Sequence, residues 1–331
     1  MSGAAQSIGR RAFLARGAAG AAAALLGAGA WAQAWPAKPI RMVLGYAPGG
    51  AADVTARELG AVLSQLLGQP LVVDYKSGGS GTIAAAEVAR AAPDGYTLAL
   101  LDNAPLTIVP AMRNTGYDPL ASFTHVGMVT QLPQVLVASP SAGVSTIQEL
   151  IDAMRSQPGK LNYGSGGAGS VGHLAAELFK QRTNTFAVHV PFRGGAPTIT
   201  ALISGEVQFA FLTASVTAPM IASGRLKPLG VSSLTRLPSL PHVPTISESG
   251  VPKFEAPGWF ALAGPAGLPD SVLAPLRKAV SEMLVTPALA TRMEGLGQTL
   301  APVQLDVRAA LGTELATWKK LFSERKIVIE S

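Results

Sequence analysis

The sequence predicts an α/β protein made of two lobes with the same topology. Apolar strands are followed by glycine-rich turns at Gly49 and Gly78, and the same order returns at Gly164 and Gly194. The two intervals, 164 − 49 = 115 and 194 − 78 = 116 residues, are nearly equal. A strand–turn–helix order that repeats at one spacing is typical of parallel βαβαβ units. The length of 331 residues also suits two domains of ~100–200 residues each.

The first unit alternates short apolar runs with glycine turns and stretches of helical spacing. Asp53 leads a helix whose apolar residues recur every three or four positions, and Gly68 closes it. We expect strands at 39–46, 71–75 and 96–101, turns at 47–50 and 77–81, and helices at 53–67 and 84–91.

The second unit repeats that order, and the rest of the chain joins and covers the two lobes. We expect its strands at 161–163, 186–190 and 207–212, its turns at 164–170 and 193–195, and its helices at 171–180 and up to 203. Crossings between the lobes are expected at 131–133 and 254–264, and helices at 271–285, 287–295 and 303–322 are expected to cover the first lobe. Lobe I then comprises 35–132 with 254–331, and lobe II comprises 133–253.

Residues 1–34 have the pattern of a cleaved signal peptide. Three arginines precede an uncharged Ala/Gly-rich run at 17–30, and Ala32-Gln33-Ala34 is a small-x-small cleavage site. Arg10-Arg11 also resembles the twin-arginine export signal. The alternative is an uncleaved anchor, but the run is shorter than the ~20 residues that span a bilayer. We therefore expect export to the periplasm by the twin-arginine or the general secretory route.

The composition excludes several classes of protein. Without cysteine there is no disulfide framework, thiolate zinc site or cysteine nucleophile. The formal charge of +6 includes the three arginines of the leader, so the mature chain carries 23 − 20 = +3. No basic run accompanies that charge, so nucleic acid is not an expected partner. The four histidines lack chelate spacing, and neither a metal nor another cofactor is expected.

The glycine turns indicate an anion-binding cleft. A strand that ends in a glycine turn and starts a helix presents unpaired backbone N–H groups and the positive end of a helix dipole. Facing lobes would bring the turns at 48–53 and 164–170 together at the carboxyl ends of the strands, where α/β sheets bind ligands. Hinge closure would then enclose a small anion. The alternative is that these glycines serve only tight turns.

Fourteen residues are candidates for ligand contacts in that cleft. For three of them another interpretation stays open: Asp53 as a stabilising acid at a helix start, His173 as a surface histidine, and Ser170 as a helix N-cap. The candidates are Tyr46, Pro48, Gly49, Gly50, Ala51, Asp53, Asn103, Ser165, Gly166, Ser170, His173, Gly194, Gly195 and Thr213.

Two enzyme motifs are present only in part. Gly164-x-Gly166-x-x-Gly169 has the dinucleotide spacing but lacks the acidic residue about 20 positions on. Ala168-Gly169-Ser170-Val171-Gly172 approaches a nucleophile elbow, but no histidine with an acidic partner follows in a convincing place. A periplasmic serine hydrolase that uses Ser170 therefore remains the alternative to a binding protein without chemistry of its own.

Several blocks in order resemble the tripartite tricarboxylate transporter receptor family, also called Bug periplasmic solute-binding proteins. They are Pro48-Gly49-Gly50-x-x-Asp53, Pro93-Asp94-Gly95-Tyr96-Thr97-Leu98, Asn162-Tyr163-Gly164-Ser165-Gly166-Gly167-Ala168-Gly169-Ser170-x-x-His173 and Pro191-Phe192-Arg193-Gly194-Gly195-Ala196-Pro197.

The resemblance implies a type II periplasmic-binding-protein fold with two hinged lobes. It also implies a small carboxylate as ligand, held by backbone amides, hydroxyls and waters, and a tripartite membrane transporter as partner of a monomeric receptor. In the family that the chain resembles, many members carry Asp where this chain has Leu212-Thr213. Since an amino group would lose that acidic partner, an organic or aromatic carboxylate is favoured over an amino acid.

Overall fold

The computed structural model describes residues 35–303 and 306–324. The signal peptide expected at 1–34 lies outside these residues. Within the described ranges, no helix is both long and apolar enough to cross a membrane.

Eleven strands and ten helices make up the described part of the chain. A π-helical turn, Ala104–Ile108, runs directly into the third helix. The strands are β1 (Ile40–Leu44), β2 (Leu71–Tyr75), β3 (Thr97–Asp102), β4 (Phe123–Gln131), β5 (Gln134–Ala138), β6 (Asn162–Ser165), β7 (Val188–Pro191), β8 (Phe209–Thr213), β9 (Lys227–Val231), β10 (Trp259–Pro265) and β11 (Thr299–Leu300). The helices are α1 (Ala51–Leu67), α2 (Thr82–Ala89), α3 (Val109–Met112), α4 (Ile147–Ser156), α5 (Val171–Thr183), α6 (Gly195–Ser204), α7 (Ala214–Ala222), α8 (Asp270–Leu284), α9 (Pro287–Gly295) and α10 (Val307–Ser323).

The strands form two mixed sheets that share one plan. The first sheet has the order β11-β4-β10-β3-β1-β2 and the second has the order β7-β6-β8-β5-β9. In each sheet a central strand, β1 or β6, pairs in parallel with the two strands that follow it in its βαβαβ unit. The predicted duplication of a parallel unit is therefore confirmed.

Each sheet also receives an antiparallel strand at a crossing of the chain. Two residues separate the end of β4 from the start of β5, which pairs with β8, whereas β10 returns to the first sheet and pairs with β3. The chain thus crosses between the sheets twice, once near Leu132 and once before Trp259. A double crossing of this kind is suited to hinge motion, because few backbone segments join the two lobes.

The helices cover the sheets by burying one apolar face each. Helix α1 buries Ala56, Leu59 and Leu63 in the core of the first sheet, and Gly68 ends it with φ 70°. The tail helices cover the first lobe as expected, because α8 packs on α1 and β4 while α10 packs on α3 and on β4. The last turns of α10 go further, since Trp318 joins an apolar cluster with Leu174 of the second lobe.

Candidate functional site

A cavity lies between the two sheets, at the carboxyl ends of their parallel strands. It holds about 80 Å³, which is room for several water molecules. We call it the cleft cavity. It is lined by Tyr46, Gly50, Ala51, Ala52, Asp102, Leu132, Gln134, Gly166, Ser170, Val171, Gly172, Gly194, Gly195, Phe211, Leu212, Thr213, Val216, Gly258, Trp259 and Phe260.

Four helices begin at the wall of the cleft cavity. Their N-cap residues are Gly50 for α1, Ser170 for α5, Gly194 for α6 and Thr213 for α7, and all four line the cavity. Gly50, Gly194 and Thr213 make no side-chain capping hydrogen bond, so first-turn N–H groups at these starts remain open to a ligand. Among the described residues, no lysine, arginine or histidine lines the cavity.

The glycine loops of the two lobes touch across the cleft. The Ala47 N–H donates to the Arg193 carbonyl oxygen at 3.0 Å, and the Ser80 hydroxyl donates to the Ala168 carbonyl oxygen at 2.7 Å. Gly194 has φ 125°, and a Cβ there would lie 3.3 Å from the Ala47 nitrogen. Both the backbone angle and the close approach therefore favour glycine at this position.

One acidic side chain lines the cleft cavity. Asp102, the last residue of β3, is 8% exposed, and its Oδ2 accepts a hydrogen bond from the Tyr46 hydroxyl at 2.8 Å. Burial raises the pKa of the Asp102 carboxyl to about 7, and the hydrogen bond from Tyr46 and the nearby backbone N–H groups of Ala104 and Asp102 oppose that rise. Its other oxygen, Oδ1, is buried without a hydrogen-bond partner among the described residues.

The apolar wall of the cavity is held in place by the half-buried carboxylate of Glu314. The Trp259 backbone N–H donates to the Asn103 side-chain oxygen at 3.0 Å, and the Trp259 indole N–H donates to Glu314 at 2.8 Å. The Asn103 amide also donates to Glu314 at 2.9 Å. Asn103 is 1% exposed and positions Trp259 from behind, so its side chain does not line the cavity.

Two stacked histidines lie beneath the glycine loop at 164–170 of the second lobe. The rings of His173 and His189 are 3.8 Å apart and nearly parallel, at 8°. His173 Nδ1 accepts the Gly169 N–H at 2.9 Å, and His189 Nε2 lies 2.6 Å from the Ser165 hydroxyl. Burial lowers the pKa of His173 to about 3 and that of His189 to about 4, so both rings are neutral near pH 7. The pair thus fixes both ends of the loop from inside the lobe.

Ser170 caps α5 by accepting the His173 backbone N–H at 3.3 Å. Both ring nitrogens of His173 face other groups: Nδ1 accepts the Gly169 N–H, and Nε2 lies 3.8 Å from Glu177. A serine nucleophile needs a histidine ring within about 2.6–3.2 Å of its oxygen. The described residues supply no such pairing for Ser170, and the hydrolase interpretation gains no support from this geometry.

Comparison with known proteins now identifies the family. The family model described as "Tripartite tricarboxylate transporter family receptor" matches residues 55–326. This chain belongs to that receptor family. The chain is 35% identical over 327 residues to a protein of Pseudomonas sp. strain P51, described as the UPF0065 protein in the tcbD-tcbE intergenic region, and the match covers 97% of this chain and 96% of that protein. Protein BugT of Bordetella pertussis is 33% identical over 296 residues, 88% of this receptor and 91% of BugT.

Solved structures show the same architecture. A Rhodopseudomonas palustris protein solved with adipate is 33% identical and superposes with a TM-score of 0.83, covering 89% of this receptor and 99% of that chain. MatC from the same organism, solved with malate, is 30% identical with a TM-score of 0.82 and covers 87% and 99%. The predicted two-lobed periplasmic-binding-protein fold is confirmed, and the receptor belongs to a family of periplasmic binding proteins.

The structure brings most of the predicted ligand residues of this receptor to the cleft cavity. Eight of the fourteen line it, namely Tyr46, Gly50, Ala51, Gly166, Ser170, Gly194, Gly195 and Thr213. The other six do not line it, namely Pro48, Gly49, Asp53, Asn103, Ser165 and His173.

Asp53 is one of these six residues, and its carboxylate forms hydrogen bonds with other groups of the protein. It accepts hydrogen bonds from the Gly49 N–H at 2.9 Å, from Arg57 at 2.8 Å and from the Tyr75 hydroxyl at 2.7 Å. Burial by itself raises the pKa of Asp53, but these hydrogen bonds and the charge of Arg57 bring it below the ordinary value. The interpretation as a stabilising acid at the helix start fits these contacts. His173 is likewise buried, at 1% exposure, and is not a surface histidine.

Several residues that line the cavity are not among the fourteen candidates. Asp102 follows the strand expected at 96–101, and it lines the cleft because β3 runs one residue further, opposite Phe260. Gln134 begins β5, opposite Thr213. Trp259 and Phe260 begin β10. The cleft therefore does contain an acidic side chain, Asp102, although this chain has Thr213 at the position where the family resemblance would place an Asp.

Proposed function

We propose that this receptor captures a small organic carboxylate in the cleft cavity and delivers it to a tripartite-type membrane transporter, without catalysing a reaction. One observation carries the proposal: four helix N-termini meet at a cavity that no cationic side chain lines among the described residues. Each such terminus favours an anion by roughly 0.3–1 kcal/mol, and by up to ~2 kcal/mol when partly buried. The adipate and malate of the two Rhodopseudomonas structures support the carboxylate class.

The shape of the site suits a short ligand with an apolar body. Backbone N–H groups at the starts of α1, α6 and α7 would receive carboxylate oxygens, while Phe211, Leu212 and Trp259 would contact the carbon chain. Since no lysine or arginine fixes one charge geometry, the same site suits carboxylates of different length.

The organisation of the receptor follows from the same proposal. Lobe I, 35–132 with 254–331, and lobe II, 133–253, would close on the ligand about the two crossings, near Leu132 and before Trp259. We also propose export through the leader at 1–34, by the twin-arginine or general secretory route, and a monomeric mature receptor. The double crossing of the chain supports the closure of the lobes, and the leader pattern supports the export.

Calorimetric titration of the purified mature chain tests the proposal. We expect at least one of succinate, malate, adipate and benzoate to bind with 1:1 stoichiometry and to raise the melting temperature, because a ligand at 100 times its Kd adds about 2.7 kcal/mol of stability. The uncharged methyl esters are the matched controls and should not bind. Esters or sugars that bind while every carboxylate fails would overturn the proposal.

A hydrolase test separates the alternative function. Ser170→Ala removes the hydroxyl that caps α5. We expect no ester hydrolysis from the unaltered protein and only a change in carboxylate affinity from the variant. Ester turnover that Ser170→Ala abolishes would establish the hydrolase instead.

A further inference from the structure

Asp102 carries the one titratable carboxyl group that lines the cleft cavity among the described residues. Its side chain is more than nine-tenths buried, and the Tyr46 hydroxyl occupies Oδ2. Oδ1 is buried with no hydrogen-bond partner in the described part of the chain. A buried carboxyl group that is not fully hydrogen-bonded is costly, so its place in the wall of a binding cavity points to a partner on the ligand.

The groups that face Asp102 leave it without a compensating cation. They are Tyr46 after β1, Tyr117 in the segment before β4, and Glu314 on α10, whose negative charge raises the pKa of Asp102 further. Glu314 accepts hydrogen bonds from Asn103, Thr107, Trp259 and Trp318. The cation on this side, Arg113, is exposed and lines a neighbouring pocket instead of the cleft cavity.

Three kinds of ligand group would satisfy the Asp102 carboxyl. An ionised Asp102 would accept a hydrogen bond from an ammonium or a hydroxyl group, and a protonated Asp102 would donate one to a carboxylate oxygen. The four helix N-termini present positive potential to the same small space and disfavour an ammonium group there. An ionised Asp102 beside a bound carboxylate would place two like charges in a desolvated cavity, which proton uptake relieves.

We propose that Asp102 is protonated in the complex and that its carboxyl O–H donates a hydrogen bond to a carboxylate oxygen of the ligand, so that the receptor takes up one proton from solvent with each carboxylate. The inference rests on the proposed function. It names Asp102 as the residue that selects a ligand end carrying a carboxylate over one carrying an ammonium group. The pKa of about 7 for Asp102 supports this role, because a small further rise suffices to keep the carboxyl neutral when an anion binds.

The direction of the pH dependence follows from linkage. Below about pH 7 Asp102 is already protonated in the free receptor, and affinity is independent of pH. Above that pH each binding event must draw a proton from solvent, so affinity falls by about tenfold per pH unit. Between pH 6.0 and 8.5 we expect the Kd to rise by about thirtyfold.

Titration calorimetry in two buffers of different ionisation enthalpy tests the inference on the unaltered receptor. The probe is the tightest binder among succinate, malate, adipate and benzoate. We expect uptake of close to one proton per ligand at pH 8.5 and of close to none at pH 6.0. Asp102→Asn should abolish the uptake and bind more tightly than the unaltered receptor at pH 8.5. Asp152→Asn, on the exposed side of α4, is the matched control and should keep the uptake.

The outcomes separate this inference from the proposed function. Carboxylate binding with no proton uptake at pH 8.5 would overturn the role of Asp102 and leave the proposed function standing. Preferred binding of L-aspartate over succinate, lost in Asp102→Asn, would also overturn it, because Asp102 would then bind an ammonium group. Failure of every carboxylate to bind at pH 6.0 would overturn the proposed function and this inference with it.

Discussion

Asp102 and Thr213 occupy matching places in the two lobes. Each is the last residue of the third strand of its parallel unit, and each lies opposite a residue of the antiparallel strand that enters at a crossing: Asp102 opposite Phe260, and Thr213 opposite Gln134. All four line the cleft cavity. One lobe therefore presents a carboxyl group beside an aromatic ring, while the other presents a neutral hydroxyl beside an amide.

The helix starts show the same asymmetry. The second lobe directs α5, α6 and α7 at the cavity, whereas the first lobe directs only α1 and supplies Asp102. The duplicated scaffold has thus specialised, with most of the anion-binding N–H groups on one side and a protonatable group on the other. Lobes of equal topology therefore differ in chemistry, because the residue that ends the third strand, Asp102 or Thr213, decides which group faces the ligand.

The largest loss of carboxylate affinity is expected when the acidic residue of the first lobe is introduced at the matching position of the second. Thr213→Asp places a negative charge at the start of α7, in the space proposed for the ligand carboxylate. Two like charges ~4 Å apart at an effective dielectric constant of 20 repel by about 4 kcal/mol, so we expect carboxylate affinity to fall by about 10²- to 10³-fold in calorimetric titrations. Thr213→Asn, neutral and of similar size, should lose far less. Equal losses in both variants would contradict the electrostatic explanation.

A smaller effect is expected at the contact between the lobes. Gly194→Ala adds a Cβ 3.3 Å from the Ala47 nitrogen, on a residue with φ 125°. Backbone strain of roughly 1–3 kcal/mol should lower the melting temperature, and the obstructed approach of the lobes should raise the Kd by about tenfold. Gly224→Ala, at φ 68° with open space around it, carries the strain without the contact. It should lower stability and leave the Kd unchanged.

Ser80 offers a milder test of closure. Its hydroxyl donates to the Ala168 carbonyl oxygen of the other lobe at 2.7 Å. Ser80→Ala removes one hydrogen bond of the closed form, so we expect the Kd to rise by about two- to tenfold, mainly through faster dissociation in stopped-flow measurements. Ser156→Ala, which removes an exposed hydrogen bond within the second lobe, is the control. An unchanged dissociation rate in Ser80→Ala would show that this contact does not hold the lobes together.

The histidine pair predicts how the second lobe responds to acid. The pKa values of about 3 for His173 and about 4 for His189 lie below the unfolded value of ~6.5, so the unfolded chain binds more protons between about pH 4 and 6.5. Stability therefore falls as the pH drops through this window. Asp102 contributes with the opposite sign because its pKa is raised, so the measurement belongs in the Asp102→Asn background.

In that background we expect the melting temperature to fall by about 5–10 °C between pH 7.0 and 5.0. His189→Gln should lose part of this dependence, since it removes one of the buried histidines whose pKa is lowered, while His173 and His125 remain. His242→Gln, on an exposed loop, should keep all of it. If the full pH dependence of the melting temperature remains in His189→Gln, other groups cause it.

The sequence predicts the parallel units well, because their signals are local. The apolar runs of β1 and β2, the glycine after α1 and the glycine turns all lie within a few residues of the elements that they define. Strand β4, by contrast, contains His125, Gly127 and Thr130 in a buried sheet and has no alternation that predicts a strand. The sequence pattern also does not predict helices α4 and α7 or strand β9.

The candidate site divides in the same way. Backbone contacts at Gly50, Gly194 and Gly195 follow from turns that the sequence displays. Asn103 sits at the end of a strand, where a cleft position was expected, but its amide contacts Glu314, which lies 211 residues further along the chain. Asp102 reaches the cavity because β3 pairs with β10, which returns from the second lobe. Long-range pairing of this kind leaves no local signal in a single sequence.

A crystal structure of the receptor with its tightest carboxylate tests the central claim most directly. We expect ligand oxygens at about 2.7–3.2 Å from backbone N–H groups at the starts of α1, α6 and α7, and one oxygen at hydrogen-bond distance from the Asp102 carboxyl. We expect no lysine or arginine side chain in contact with the ligand. A carboxylate held by a cationic side chain, or bound outside the cleft cavity, would contradict the account.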